Sequence, residues 1–312
     1  MQRQDDNKPA TRPEPGLGLA LGGGAARGLA HIVVLEVLDE LGVRPAMIAG
    51  ASMGAMVGAA YAGGMAARDI REHVLQVLGK PAELARRLLG MGSSETSLFS
   101  LLNFSISRGV MIDGLALLEA FMPPQVPELL EELPVRMLIS ATDFYGVEEV
   151  VFRSGPVREA VAASIAIPAV IAAPRVNERL LVDGAIVNPV PFDLLQQAGC
   201  RPVIAVEVTG RPMPRLKADG SMRKPGMTDL GIGAMQIMQL KLAALKRASS
   251  PPELWIDPPL DDYRAYDFLK AREILERADA MRDAIRHHVD RLLEAGETGV
   301  VDSPLPPVAD AP

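Results

Sequence analysis

Two glycine-framed turns near the start of the chain constrain its fold more than anything else in the sequence. The first is an apolar run breaking into glycines, Leu19-Ala20-Leu21-Gly22-Gly23-Gly24-Ala25-Ala26-Arg27-Gly28. The second, Gly50-Ala51-Ser52-Met53-Gly54, sets a serine between two glycines. Residues 17–21 are too few for a helix and read as a buried strand, whereas residues 29–41 carry apolar side chains at helical spacing up to Gly42. Residues 46–49 form a second short apolar run, and residues 55–61 continue as a small-residue helix stopped by Gly63-Gly64. The order β-α-β-α implies parallel strands joined by a right-handed helical crossover.

Beyond this unit the pattern turns helical. Segments at 70–78, 83–89 and 115–121 occupy residues 66–132 without a convincing strand and predict a helical cap over a site. Within it Leu84-Ala85-Arg86-Arg87-Leu88-Leu89, with Met91, offers a basic and apolar face for a membrane, although arginines kept for solubility explain it as well. Strands resume at 135–142 and 148–153, followed by a helix over 157–165 that ends before Pro168. A short strand at 180–182 runs into Asp183-Gly184-Ala185, and 203–208 is a further parallel-type strand. Residues 210–227, rich in Pro, Lys, Arg and Gly, predict a mobile loop ahead of a helix over 230–247. A late strand at 254–256 and one long amphipathic helix over 271–295 complete a domain expected to span 16–298. Residues 1–15 are polar and residues 299–312 proline-rich; both are expected to be disordered.

Composition removes several function classes. A formal charge of −7 and 23% charged residues leave no overall basic balance with which to displace counterions from phosphates, so nucleic acid is not an expected partner. The single cysteine, Cys200, excludes an intramolecular disulfide and a cysteine-rich metal site and reads as structural. Residues 47–67 lack charge and space Gly50, Gly54 and Gly58 four apart, as packed transmembrane helices do. They are mostly Ala and Gly, however, and a buried strand-turn-helix explains the same composition. With no apolar signal core in residues 1–15 and no span, the expectation is a cytoplasmic protein that can meet a membrane peripherally.

The chemistry starts from Ser52. A serine hydroxyl attacks only when a base takes its proton and its backbone holds it clear, and a tight strand-to-helix Gly-x-Ser-x-Gly turn provides the second condition through Gly50 and Gly54. The upstream loop fails as a dinucleotide site, because Arg27 or Ala25 falls where a required glycine belongs, and it lacks the Gly-Lys-Ser/Thr of a phosphate loop. What remains is either a run of N–H groups at a helix start, with Arg27 nearby, suited to an oxyanion, or a tight turn with no chemistry. None of His31, His73, His287 and His288 is well placed as a base. A carboxylate acting directly on the serine is the alternative, and Asp183, at the end of a strand and before Gly184-Ala185, could reach the same sheet edge. Taken alone it is equally a turn aspartate.

The ordered set of Gly22-Gly23-Gly24-Ala25-Ala26-Arg27-Gly28, Ala30-His31, Gly50-Ala51-Ser52-Met53-Gly54 and Asp183-Gly184-Ala185 resembles the bacterial branch of the patatin-like phospholipases. Ala163-Ser164-Ile165-Ala166-Ile167-Pro168 and Tyr266-Asp267-Phe268 fit the same family. The resemblance implies a three-layer α/β/α fold with a mostly parallel central sheet and a helical cap insertion. It implies a Ser52–Asp183 dyad without histidine, and an oxyanion hole from Gly22, Gly23, Gly24, Ala25, Arg27 and Gly28. Phospholipid, lysophospholipid or another acyl ester would be the substrate, and no cofactor or metal is called for. Ala25 stands where the family usually has glycine, which predicts a shifted hole, since alanine still donates its N–H. Met222, Met227, Met235 and Met238 could wall an acyl chain or be ordinary core. Two other readings compete: an acyltransferase of the malonyl-transferase type, which would want a histidine, and a non-catalytic regulatory protein retaining the fold.

Overall fold

The computed structural model describes residues 16–80, 83–84, 111–217 and 219–295. The arm at 1–15, the tail at 299–312 and most of the basic-apolar stretch at 84–91 therefore lie outside the described residues. Four short apolar strands form the centre of one sheet: β1 (Gly18–Leu21), β2 (Met47–Ala51), β7 (Val203–Val206) and β8 (Leu254–Ile256). They run parallel, β1 lying between β2 and β7, and β8 closes that side. On the other side β3 (Arg136–Asp143) pairs parallel with β2. Both β4 (Glu148–Phe152) and β6 (Arg179–Asp183) pair antiparallel with β3, and β5 (Arg175–Val176) pairs antiparallel with β6.

Alternation along the buried strands sorts their side chains to two faces. Leu19, Leu21, Ile48, Ile139, Ile204 and Val206 join one apolar cluster. Ala20, Met47, Ala49, Leu138, Val203 and Ala205 join the other. The first face is covered by α1 (Ala30–Glu40), α2 (Met53–Ala62), α3 (Ala67–Leu78), α5 (Val157–Ser164), α8 (Ala271–Asp279) and α9 (Arg282–Ala295). The short α4 (Gly114–Phe121) packs against α5. The second face is covered by α6 (Phe192–Gln197) and by Ala243 of α7 (Met227–Ser249), with Cys200 buried among them. The three-layer α/β/α arrangement is thus present.

Within the uncharged stretch at 47–67, residues 47–62 are β2, the turn at Ser52 and a ten-residue α2, all of them buried. Among the described residues no helix is long and apolar enough to cross a membrane. Its glycines serve close packing: a Cβ on Gly54 would lie 2.0 Å from the Leu21 carbonyl oxygen. Helix α2 therefore rests directly on the end of β1.

One expectation needs correction, and some short elements escape the sequence pattern. The single helix over 271–295 is two helices, broken at Ala280 and Met281. No Gly or Pro marks the break, and the apolar stripe of Ile274, Ala278, Met281, Ile285 and Val289 runs through it without a change of spacing. The break is tertiary: Asp279 and Arg282 flank it and are tied to Arg71 of α3 and Glu36 of α1. Residues 210–227 contain a small hairpin, with a bridge between Leu216 and Met222. Strand β5 and helix α6 are too short to give a periodic signal.

Candidate active site

The two halves of the site meet on one edge of β3. Ala51 pairs with Ser140, and Asp183 pairs with the next residue, Ala141. Since β4 occupies the opposite edge of both, β2 and β6 approach end to end along the same edge. Ser52 leaves the top of β2 where β6 arrives with Asp183. The Ser52 hydroxyl donates to Asp183 Oδ2 at 2.6 Å, across 131 positions of sequence.

Ser52 is held at φ +53° and ψ −122°, a left-handed conformation costly for a non-glycine residue. The turn that imposes it is anchored twice. The Ser52 N–H donates to Ser164 Oγ at 2.9 Å, and Ser164 Oγ donates in turn to the Ser140 carbonyl at 2.7 Å. At the helix end, Ala55 and Met56 N–H close on the Ser52 carbonyl. Gly50 faces Ala55 too closely for a Cβ to fit.

Asp183 is fixed from three directions. Its Oδ1 accepts the Ala185 N–H at 2.8 Å, its carbonyl accepts the Thr142 hydroxyl at 2.8 Å, and its own N–H donates to Ala166 O. Gly184 packs against the Ser140 carbonyl, where a Cβ would sit 2.0 Å away. Burial pushes the Asp183 carboxyl up to about 6, against the opposing pull of the Ser52 hydroxyl and the Ala185 N–H. At that value it is ionised at neutral pH and still basic enough to take a proton.

Behind the aspartate turn lies a polar network that sequence reasoning missed. Ser140 Oγ and Asn188 Nδ2 both donate to Glu149 Oε1, and Asn188 also donates to Asp193, which pairs with Lys246 of α7. No spacing pattern links these residues. Ser164 was visible only as part of a resembling segment, and its contact with Ser52 depends on how α5 meets β3.

The glycine loop lies over the serine. Gly23 faces Ala185 and Ser52, where a Cβ would fall 2.5 and 3.2 Å from theirs. Its N–H, however, donates to Pro189 O, and that of Gly22 to Val206 O. Among the described residues, the N–H groups of Gly24 and Ala25 have no protein acceptor. Ala25 adopts φ +49°, so the alanine retains a backbone conformation that glycine takes more readily. Gly28 packs against Met53.

Arg27 and His31 turn away from the dyad. Arg27, 2% exposed, donates to the carbonyls of Val208 and Tyr263. Burial lowers it to about 10, and Asp261, Glu207 and Asp267 offset part of that. His31 is fully buried with Nε2 2.8 Å from Gly22 O. A carbonyl only accepts, so Nε2 carries the proton; burial, partly opposed by that bond, lowers the imidazole to about 4. Both side chains pin the loop in place.

A cleft of about 1440 Å3 opens over Ser52 and Asp183. Met56, Val57, Ile70, Val74, Leu78 and Ile165 give it an apolar wall on the α2, α3 and α5 side. Met222, Met227 and Met235 also line it, whereas Met238 is not part of the wall and is 65% exposed. Among the described residues no group of three or more His, Cys, Asp or Glu side chains could hold a metal ion.

An α/β/α fold with a strained serine turn beneath a glycine loop is an arrangement shared by serine hydrolase-like proteins, and sequence comparison narrows it. The model of the patatin-like phospholipase family matches residues 19–195, more than half of the chain. The chain belongs to that family, whose name denotes hydrolases acting on lipid esters. An NTE family protein of Mycobacterium tuberculosis is 37% identical over 196 residues, 63% of this chain and 50% of its own length. Lysophospholipase NTE1 of Kluyveromyces lactis is 27% identical over 94% of this chain and 20% of its own. The chain thus spans about half the length, or less, of these curated relatives. Among solved structures, VipD from Legionella pneumophila aligns with 88% of this chain and 67% of its own at 13% identity, with a TM-score of 0.42.

Proposed function

We propose that the chain is a serine lipid acyl hydrolase in which Ser52 is the nucleophile and Asp183 the base. The observation that carries this reading is the 2.6 Å hydrogen bond between Ser52 Oγ and a buried Asp183 at the floor of an apolar cleft. Asp183 takes the hydroxyl proton as Ser52 Oγ attacks the ester carbonyl carbon. The carbonyl electrons move to oxygen, and the N–H groups of Gly24 and Ala25 receive the oxyanion. Collapse expels the lipid alkoxide, which takes the proton from Asp183 and leaves an acyl-enzyme. Water, deprotonated by Asp183, then attacks the acyl carbon, and the fatty acid leaves as Ser52 recovers its proton. The substrate is phospholipid, lysophospholipid or another acyl ester, met at a membrane surface from the cytoplasmic side.

The test is release of nitrophenol from a short-chain nitrophenyl ester and of fatty acid from phospholipid, lysophospholipid and triglyceride. Ser52→Ala and Asp183→Asn should each reduce release to background while the protein stays folded. A fluorophosphonate should label Ser52 in the unaltered chain. Activity retained in either variant would sink the dyad; an unlabelled, inactive parent would favour the non-catalytic reading.

A further inference from the structure

One surface of the molecule runs against its overall charge. The chain carries a formal −7, yet residues 211–227 hold Arg211, Arg215, Lys217, Arg223 and Lys224 against the single acid Asp219. Asp219 is occupied by Ser221, whose hydroxyl and N–H both donate to it. None of the five cationic groups lies within 4 Å of a carboxylate among the described residues; Arg215 and Arg211 act only at longer range, on Asp229 and Asp257. Every described residue from 211 to 227 is exposed.

The same stretch exposes large apolar side chains. Met227 is 91% exposed, and Leu216, Met222 and Leu230 are each more than half exposed. The hairpin bridge sets Leu216 opposite Met222, with Lys217 N–H donating to Ser221 O at 2.8 Å and Arg223 N–H to Arg215 O at 2.6 Å. Cations and apolar groups are therefore interleaved on one small projection. A hairpin kept for solubility needs the charges but not the methionines. An acidic soluble partner would match the charge and leave the apolar tips unused. An anionic lipid surface uses both, headgroups meeting the cations while apolar side chains enter below them.

The projection is also the lip of the cleft. Arg215, Met222, Arg223, Lys224 and Met227 line the opening whose floor holds Ser52. We propose that residues 211–227, with the first turn of α7, dock on an anionic lipid surface and set the cleft mouth against it. Docking needs no catalysis; that the docked cleft receives an ester rests on the hydrolase reading.

The experiment uses the full chain with Ser52→Ala, so that vesicles are not consumed, and co-sedimentation with phosphatidylcholine vesicles made with and without phosphatidylserine. Binding is expected only with phosphatidylserine and should fall as salt rises. At about fivefold per charge near an anionic surface, Arg223→Glu with Lys224→Glu should weaken partition by more than about tenfold. A second variant, Leu216→Ser with Met222→Ser, keeps every charge and should also weaken it, leaving binding that is more salt-sensitive. Melting curves of both variants check that these exposed changes leave the fold intact. The proposal is overturned by no binding to either vesicle, by equal binding to both, by unchanged binding in either double variant, or by equal retention on polyglutamate beads. Hydrolysis of the soluble nitrophenyl ester by the unaltered chain, run in parallel, separates the two readings. Ester cleavage without vesicle binding removes the docking surface alone, and binding without cleavage removes the hydrolase alone.

Discussion

The Ser164 hydroxyl stands between Ser52 and the sheet, accepting the Ser52 N–H at 2.9 Å and donating to the Ser140 carbonyl at 2.7 Å. One side chain thereby fixes the height of the elbow above β3. Replacing it by alanine leaves a buried N–H and a buried carbonyl without that partner, at a cost of about 1–3 kcal/mol. Ser164→Ala should lower kcat for ester hydrolysis by about tenfold or more with little change in KM, because it misaligns the nucleophile rather than the cleft. Steady-state kinetics with the nitrophenyl ester check this; an unchanged kcat would free Ser164 of any positioning role.

If Asp183 is the base proposed above, its protonation sets a rate as well as a stability. With its carboxyl raised to about 6, kcat/KM should climb as pH rises through about 6 and level off above it. The stability effect has the opposite sign. Between about 4 and 6 the folded state holds this proton and the unfolded chain does not, so stability from this group is full at low pH and lost as pH rises. A two-unit shift corresponds to about 3 kcal/mol at neutral pH. His31, lowered to about 4, acts oppositely over nearly the same window, its stability being present above about 6.5 and lost toward 4. The comparison must therefore be between variants: Asp183→Asn should be inactive yet more resistant to urea than the parent at pH 7, with the gap closing by pH 4.

At the glycine loop, neighbouring positions should respond in opposite ways. A Cβ on Gly24 would fall 2.2 Å from the Val208 carbonyl oxygen, so Gly24→Ala should displace the loop and abolish ester hydrolysis. Ala25 already sits at φ +49°, where a side chain costs about 1 kcal/mol. Ala25→Gly relieves that strain and keeps the N–H, offset in part by a more flexible unfolded chain. Activity should be kept or raised, and thermal midpoint changed by a few degrees at most.

Arg71 is the centre of a network that joins four helices. It grips Glu36 through two bonds of 2.7 Å and Asp279 at 2.8 and 3.0 Å, while Arg282 reaches the same two carboxylates. Arg71→Ala leaves the buried Glu36 with a single partner and should cost about 2–4 kcal/mol, read from urea denaturation. Arg71→Lys, a point charge without the planar fork, should recover only part of the loss.

Much of this arrangement was legible from residue order. The break of apolar runs into Gly22–Gly24 and around Ser52 announced β1, α1, β2 and α2 within a few residues of their ends, because buried parallel strands and small-residue turns leave compact local signals. Asp183 was legible as a strand-end aspartate, and its distance from Ser52 was not, since that depends on β2 and β6 sharing an edge of β3. The division of labour within the glycine loop was equally hidden. Only folding shows that Pro189 takes the Gly23 N–H and that Arg27 reaches Val208 and Tyr263. The break after Asp279 escaped for the same reason, its cause lying on α1 and α3.

The end-to-end meeting of β2 and β6 has a consequence for the chain as it is made. Asp183 emerges 131 residues after Ser52 during synthesis, and β6 joins β3 through three paired residues, 141 to 143. A nascent chain lacking β6 carries the Ser52 turn without the carboxylate that it bonds. The pair proposed as nucleophile and base is therefore assembled only once β6 has joined the sheet.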